Sequence, residues 1–171
     1  MEKLKRYTIS GIIFVLITGT LSHFVYEWSG ENYLAGLLFP VNESTWEHMK
    51  LIFFPMLVFA VFMNYRLKEE IPCITSALLW GILLGTWLIP VIFYTYSGIL
   101  GRNFVVFDLA TFAISVLCAF AAIQRNAKKD GSTKNCCSWL PAIIVFVMLI
   151  CFVLFSYHPP ALGLFVNPTG A

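Results

Sequence analysis

The stretch Asn42-Glu43-Ser44-Thr45-Trp46-Glu47-His48-Met49-Lys50 sets two carboxylates, an imidazole and an ammonium side by side. Ser44 followed three residues later by Glu47 is a capping box, which predicts a helix start. On that helix Glu43, Glu47 and Lys50 share a face, because residues three and four apart are neighbours. Ser44 and His48 stack on the adjoining stripe. A helix start needs a cap and one acid for the dipole; this one carries more, and the surplus could do chemistry.

Three kinds of chemistry fit. Neutral imidazoles with carboxylates are a zinc donor set, and a catalytic zinc keeps one position for water. The candidate ligands are His23, His48, His158 and Asp108, with Glu47 or Glu27 as general base or as partner to a ligand histidine. No H-E-x-x-H spacing ties them together. A metal-free site would instead let Glu43 and Glu47 share a proton. Its binding groups would be Glu43, Ser44, Lys50, Tyr94 and Arg102, with the two cations facing an anionic headgroup or solute. On a purely structural account Glu47 only caps, Glu43 serves the helix dipole, Lys50 and Arg102 snorkel, and His158 is a solvated end.

The elements that carry these residues are hydrocarbon-rich. Apolar residues make up 59% of the 171 and charged ones 12%, with a mean hydropathy of +0.81. Soluble domains are about one quarter charged, so the expected class is an all-α integral membrane protein. Apolar runs predict five transmembrane helices over about 8–28, 45–65, 72–97, 104–123 and 139–157, forming a single membrane domain over 1–171. The first run is too long for a signal-peptide core and no small-residue cleavage site follows it. Pro55 leaves the Leu51 carbonyl without its helical donor, so a kink or a polar neighbour is expected there.

Lys3, Lys5, Arg6, Arg66, Lys68, Arg125, Lys128, Lys129 and Lys134 fall at the N-terminus and in the second and fourth loops. That bias predicts an N-terminus inside and, with five spans, a C-terminus outside. Lys50, Arg102, all three histidines, Glu27, Glu43, Glu47 and Asp108 then share the outer level. At about 1.5 Å per residue, His23 and Asp108 lie only roughly 6–8 Å below their helix ends. Ionisable groups at that depth should face the bundle interior and find partners.

Other features fill in the frame. Gly81-x-x-x-Gly85 lets another helix approach closely and is the candidate face for a homodimer. Tyr26, Trp28, Tyr33, Trp46, Tyr94, Tyr96 and Tyr157 read as an aromatic belt at one boundary, with membrane lipid as the neighbour. Five cysteines show no C-x-x-C pair, and Cys136-Cys137 lies in the basic loop, where reduced thiols are expected. Asn42-Glu43-Ser44 matches a glycosylation sequon, but its place in a capping box argues against use. No Walker loop, dinucleotide fingerprint, nucleophile elbow or nucleic-acid signature is present.

His23-Phe24-Val25-Tyr26-Glu27-Trp28, Phe39-Pro40-Val41 leading into the 42–50 stretch, and Phe54-Pro55 together resemble a family of small bacterial and archaeal multi-pass membrane proteins of unknown function. The match covers the first two helices, and it implies a membrane bundle without assigning any activity. A looser similarity is to seven-helix membrane hydrolases of the alkaline ceramidase type, which hold zinc with histidines and an aspartate. The shared feature is three histidines and an aspartate at one level; helix count and motif spacing differ. The expectation is an outward-facing polar pocket, roofed by residues 29–43, in a zinc-dependent hydrolase of a lipid-like substrate at the cell membrane. The alternative is a small transporter, sensor or binding protein that uses the same pocket without chemistry. A pocket closed toward the cytoplasm favours the enzyme; a polar path past Thr111 and Ser115 favours transport.

Overall fold

The computed structural model describes residues 2–128, 136 and 138–168. Among these every regular element is helical: α1 Glu2–Trp28, α2 Tyr33–Leu38, α3 Thr45–Leu67, α4 Ile74–Leu100, α5 Val105–Ala127 and α6 Trp139–Phe155, then a single 3₁₀ turn at Gly163–Phe165. Four of them, α1, α3, α4 and α5, are long and apolar enough to cross a membrane. α6 is apolar but has 17 residues, roughly 26 Å at 1.5 Å per residue against a hydrocarbon core of about 30 Å.

The four long helices close a ring in which α1 packs on α3 and α5, and α4 packs on the same two. α6 lies outside the ring against α4 and α2. Its Phe152 ring is fully buried, 4.6 Å from Trp46 and 4.9 Å from Phe53. α1 buries one stripe, Leu4, Thr8, Gly11, Val15, Gly19 and Ser22, at helical spacing. Ile9, Ile13, Ile17, Leu21, Phe24 and Trp28 stay exposed on its other side, the apolar surface a bilayer would cover.

Small residues decide how near α1 comes. A Cβ at Gly19 would stand 2.5 Å from the Leu51 carbonyl oxygen and 2.5 Å from the Phe112 ring. The carbonyl that Pro55 frees therefore lies against Gly19 of the neighbouring helix. Gly81 and Gly85 likewise face α5 of the same chain, against Ile123 and Ala119. Both are buried, so the expected dimer face is spent on a helix pair within the chain.

Residues 29–43 contain α2, a short helix whose N-cap Asn32 accepts from the Leu34 N–H at 2.9 Å. Its Tyr33 ring stacks on Tyr157 at 4.5 Å, and the Tyr157 hydroxyl donates to the Tyr33 carbonyl at 3.0 Å. Cys136, expected as a free thiol, is disulfide-bonded to Cys73, with Cα atoms 5.2 Å apart. Helix packing brings the start of α4 beside the segment before α6, a juxtaposition that a separation of 63 residues hides. Cys137 lies outside the described residues.

Candidate metal centre

The start of α3 is built as its residue types demand. Ser44 is the N-cap, and its Oγ accepts from the Glu47 N–H at 3.3 Å. The other half of the capping box is altered. Asn42 Oδ1 takes the Ser44 N–H at 2.9 Å, and the Glu47 carboxylate turns to the Val41 N–H at 3.0 Å. Glu47 Oε2 also accepts from Lys50 Nζ at 2.7 Å. Lys50 completes its three donors with the Gly36 carbonyl at 3.0 Å and Ser156 Oγ at 2.5 Å. This knot, with Lys50 and Glu47 each 1% exposed, ties α2, the turn at residues 39–44, α3 and α6 together.

The turn so held presents Glu43 between two histidines. His23 Nε2, from α1, stands 3.5 Å from Glu43 Oε1, and His48 Nε2, from α3, stands 3.4 Å from Glu43 Oε2. The two imidazole rings are 5.4 Å apart. One donor atom from each of the three residues lies within 4.8 Å of the others. Zinc bonds of about 2.0–2.2 Å in a tetrahedron separate neighbouring donors by roughly 3.3–3.6 Å. Each histidine stands at that spacing from one oxygen of Glu43, His23 from Oε1 and His48 from Oε2.

Hydrogen bonding orients one of the histidines. His48 Nδ1 lies 3.0 Å from the Ser44 carbonyl oxygen, which can only accept, so Nδ1 carries a proton. A neutral ring then turns the Nε2 lone pair toward Glu43, as an outer partner does for a metal-bound histidine. A cation between the three side chains would meet the His48 Nε2 lone pair and the Glu43 carboxylate. His23 Nδ1 is buried without a hydrogen-bond partner.

The triad opens on a cavity of about 380 Å³ between α1, α3 and α5. Its apolar lining includes Leu51, Leu109 and Phe112, and Asp108 contributes a carboxylate. Phe24 and Leu109, 41% and 60% exposed, flank the cavity on α1 and α5. A smaller lobe of about 130 Å³ shares Glu43, His48 and Asp108 and adds Asn103, Thr111 and Pro168. The Tyr96 hydroxyl donates to Asp108 Oδ1.

The candidates read from the sequence thus separate into groups. His23 and His48 converge, joined by Glu43, which was read as a binding group. Asp108 faces the same cavity from α5 but stands outside the triad. Exposed His158, in the turn after α6, joins neither the triad nor either cavity. Glu47 is committed to Lys50 and Val41, and exposed Glu27 lies one turn beyond His23 on α1. Ser44 caps, Tyr94 donates to the Gly163 carbonyl at 3.1 Å, and Arg102 sits over the Phe104 ring at 4.6 Å. Asn103, which lines the small lobe, carried no sequence signal.

A family model described as a family of unknown function (DUF6512) matches residues 1–170, and the chain belongs to that family. No curated protein and no solved structure matches the chain.

Proposed function

We propose that this member of a family without an assigned activity is a zinc-dependent membrane hydrolase of a lipid-like substrate. The observation that carries the reading is the convergence of His23, Glu43 and His48 on one point at the wall of a cavity flanked by exposed apolar side chains. Two histidines and a carboxylate are a ligand set of catalytic zinc, which leaves a fourth position open. When bound, the ion would polarise a scissile bond and lower the pKa of a water. The chain's residues would do the remainder. Ser44 orients His48, and Leu51, Leu109 and Phe112 would hold hydrocarbon. Asp108, the cavity carboxylate outside the triad, would accept a proton through the oxygen that Tyr96 leaves free. That role passes from Glu47 and Glu27, neither of which lines the cavities.

The reading includes five spans with α6 as the fifth, the N-terminus inside, the triad at the outer face of the cell membrane, and one membrane domain. Reporter fusions at the two termini test the orientation. Transport is the weaker account, because neither cavity includes Ser115 and the bundle beneath is filled by Ile52, Phe59 and Phe120. The deciding experiment is metal content by plasma mass spectrometry after purification and zinc supplementation. Near-stoichiometric zinc in wild type, lost in His23→Ala, His48→Ala and Glu43→Ala but kept in His158→Ala, is the expected result. Wild type without zinc would sink the reading.

A further inference from the structure

We infer that the chamber selects a neutral acyl amphiphile, an ester or amide whose headgroup offers a hydroxyl or N–H donor, over a phosphate-bearing one. This deepens the hydrolase reading and rests on it. The charge inventory carries the inference. Among the described residues, the acidic side chains lining the two lobes are Glu43 and Asp108, and no lysine or arginine lines either. The nearest cation in sequence, Lys50, has all three ammonium donors occupied by Gly36, Glu47 and Ser156, and its side chain is 0% exposed. Arg102 stacks on Phe104 and lines neither lobe.

Phosphoryl groups are held by arginine, lysine or metal clamps that match their charge. Here a single bound dication would already be offset by the carboxylates of Glu43 and Asp108, so a phosphate would bring uncompensated negative charge. The small lobe asks for the opposite partner. Asp108 can only accept when ionised, and Asn103 both donates and accepts. A hydroxyl or amide headgroup meets both, while the larger lobe and its exposed rim of Phe24 and Leu109 suit an alkyl chain. In the reaction, water adds to the acyl carbon and the carbon–oxygen or carbon–nitrogen bond breaks. One water proton passes to the leaving alcohol or amine, and a carboxylic acid remains.

Binding of non-hydrolysable analogues tests this on the full chain in detergent, using a long-chain alkyl glycerol ether and an alkyl phosphate of equal chain length. The glycerol ether should bind zinc-supplemented wild type at least about tenfold more tightly. Asp108→Asn should narrow that gap with zinc content unchanged. Val105→Lys, at a position on both lobes that is 82% exposed and so tolerant of a charge, should raise affinity for the phosphate. Equal or reversed preference in wild type would overturn the inference, as would a gap that neither variant moves or no binding of either analogue. Failure of zinc binding remains distinguishable. Without the ion the chamber is more negative, and the preference for the neutral ether should widen rather than vanish.

Discussion

Glu47 and Lys50 meet at 2.7 Å with side chains 2% and 0% exposed, a charge pair one helical turn from the start of α3. Removing one partner of a buried pair leaves the other charged and unsolvated, typically at a cost of about 3–5 kcal/mol, whereas replacing both by apolar groups is often neutral. Lys50→Met should therefore destabilise the protein by that order, and Lys50→Met with Glu47→Leu should recover most of the loss. Equilibrium unfolding in mixed micelles reads both. Equal loss in the single and double variants would show that the pair is not the source.

Glu43 has a different dependence. It is half exposed on a turn, so Glu43→Gln should leave the unfolding midpoint near that of wild type. Its zinc affinity should fall by more than the roughly 10–100-fold that loss of an outer partner costs. Competition with a chromophoric chelator measures it; unchanged affinity would remove Glu43 from the ligand set.

Two glycines should respond with opposite signs. Gly19→Ala forces a methyl group against the Leu51 carbonyl and Phe112, which in a packed core costs about 1–3 kcal/mol. Gly98, in α4 with open space around it, should gain up to about 1 kcal/mol as alanine, from helix propensity. Both variants are read by the same unfolding curves.

The Cys73–Cys136 pair predicts a labelling pattern. Alkylation of denatured protein without reductant should modify Cys118 and Cys151, which are free, and spare Cys73 and Cys136. Peptide mass mapping distinguishes this from the reduced thiols that the basic loop implied; full labelling of Cys73 would refute the pair.

Local chemistry was legible in the chain and mutual placement was not. The helix start at Thr45 followed from Ser44 and Glu47, because a cap is decided within four residues. The same motif misled about Glu47. Nothing local reveals that Lys50 will be buried against Gly36 and Ser156, which arrive from α2 and α6. His23, His48 and Asp108 were assigned one depth from hydropathy, yet depth says nothing about position around the ring of helices. That position brought His23 to His48, put Asp108 across the cavity and left His158 in an exposed turn. Gly81 and Gly85 signalled a close helix contact, and the contact exists. Whether its partner is another copy or α5 depends on packing that a four-residue spacing does not encode. α2 escaped notice because six residues are too few to show a period.

All three groups of the triad come from residues 23–48, while the opposite wall of the cavity comes from residues 105–112. Synthesis proceeds from the N-terminus, so α1, the turn and the first part of α3 leave the ribosome well before α5 does. The three triad residues thus emerge before the wall they face, while the turn that presents Glu43 waits for Ser156 to complete the Lys50 knot. The late elements therefore both close the cavity and lock the turn, so the triad reaches its final geometry only when α6 has packed.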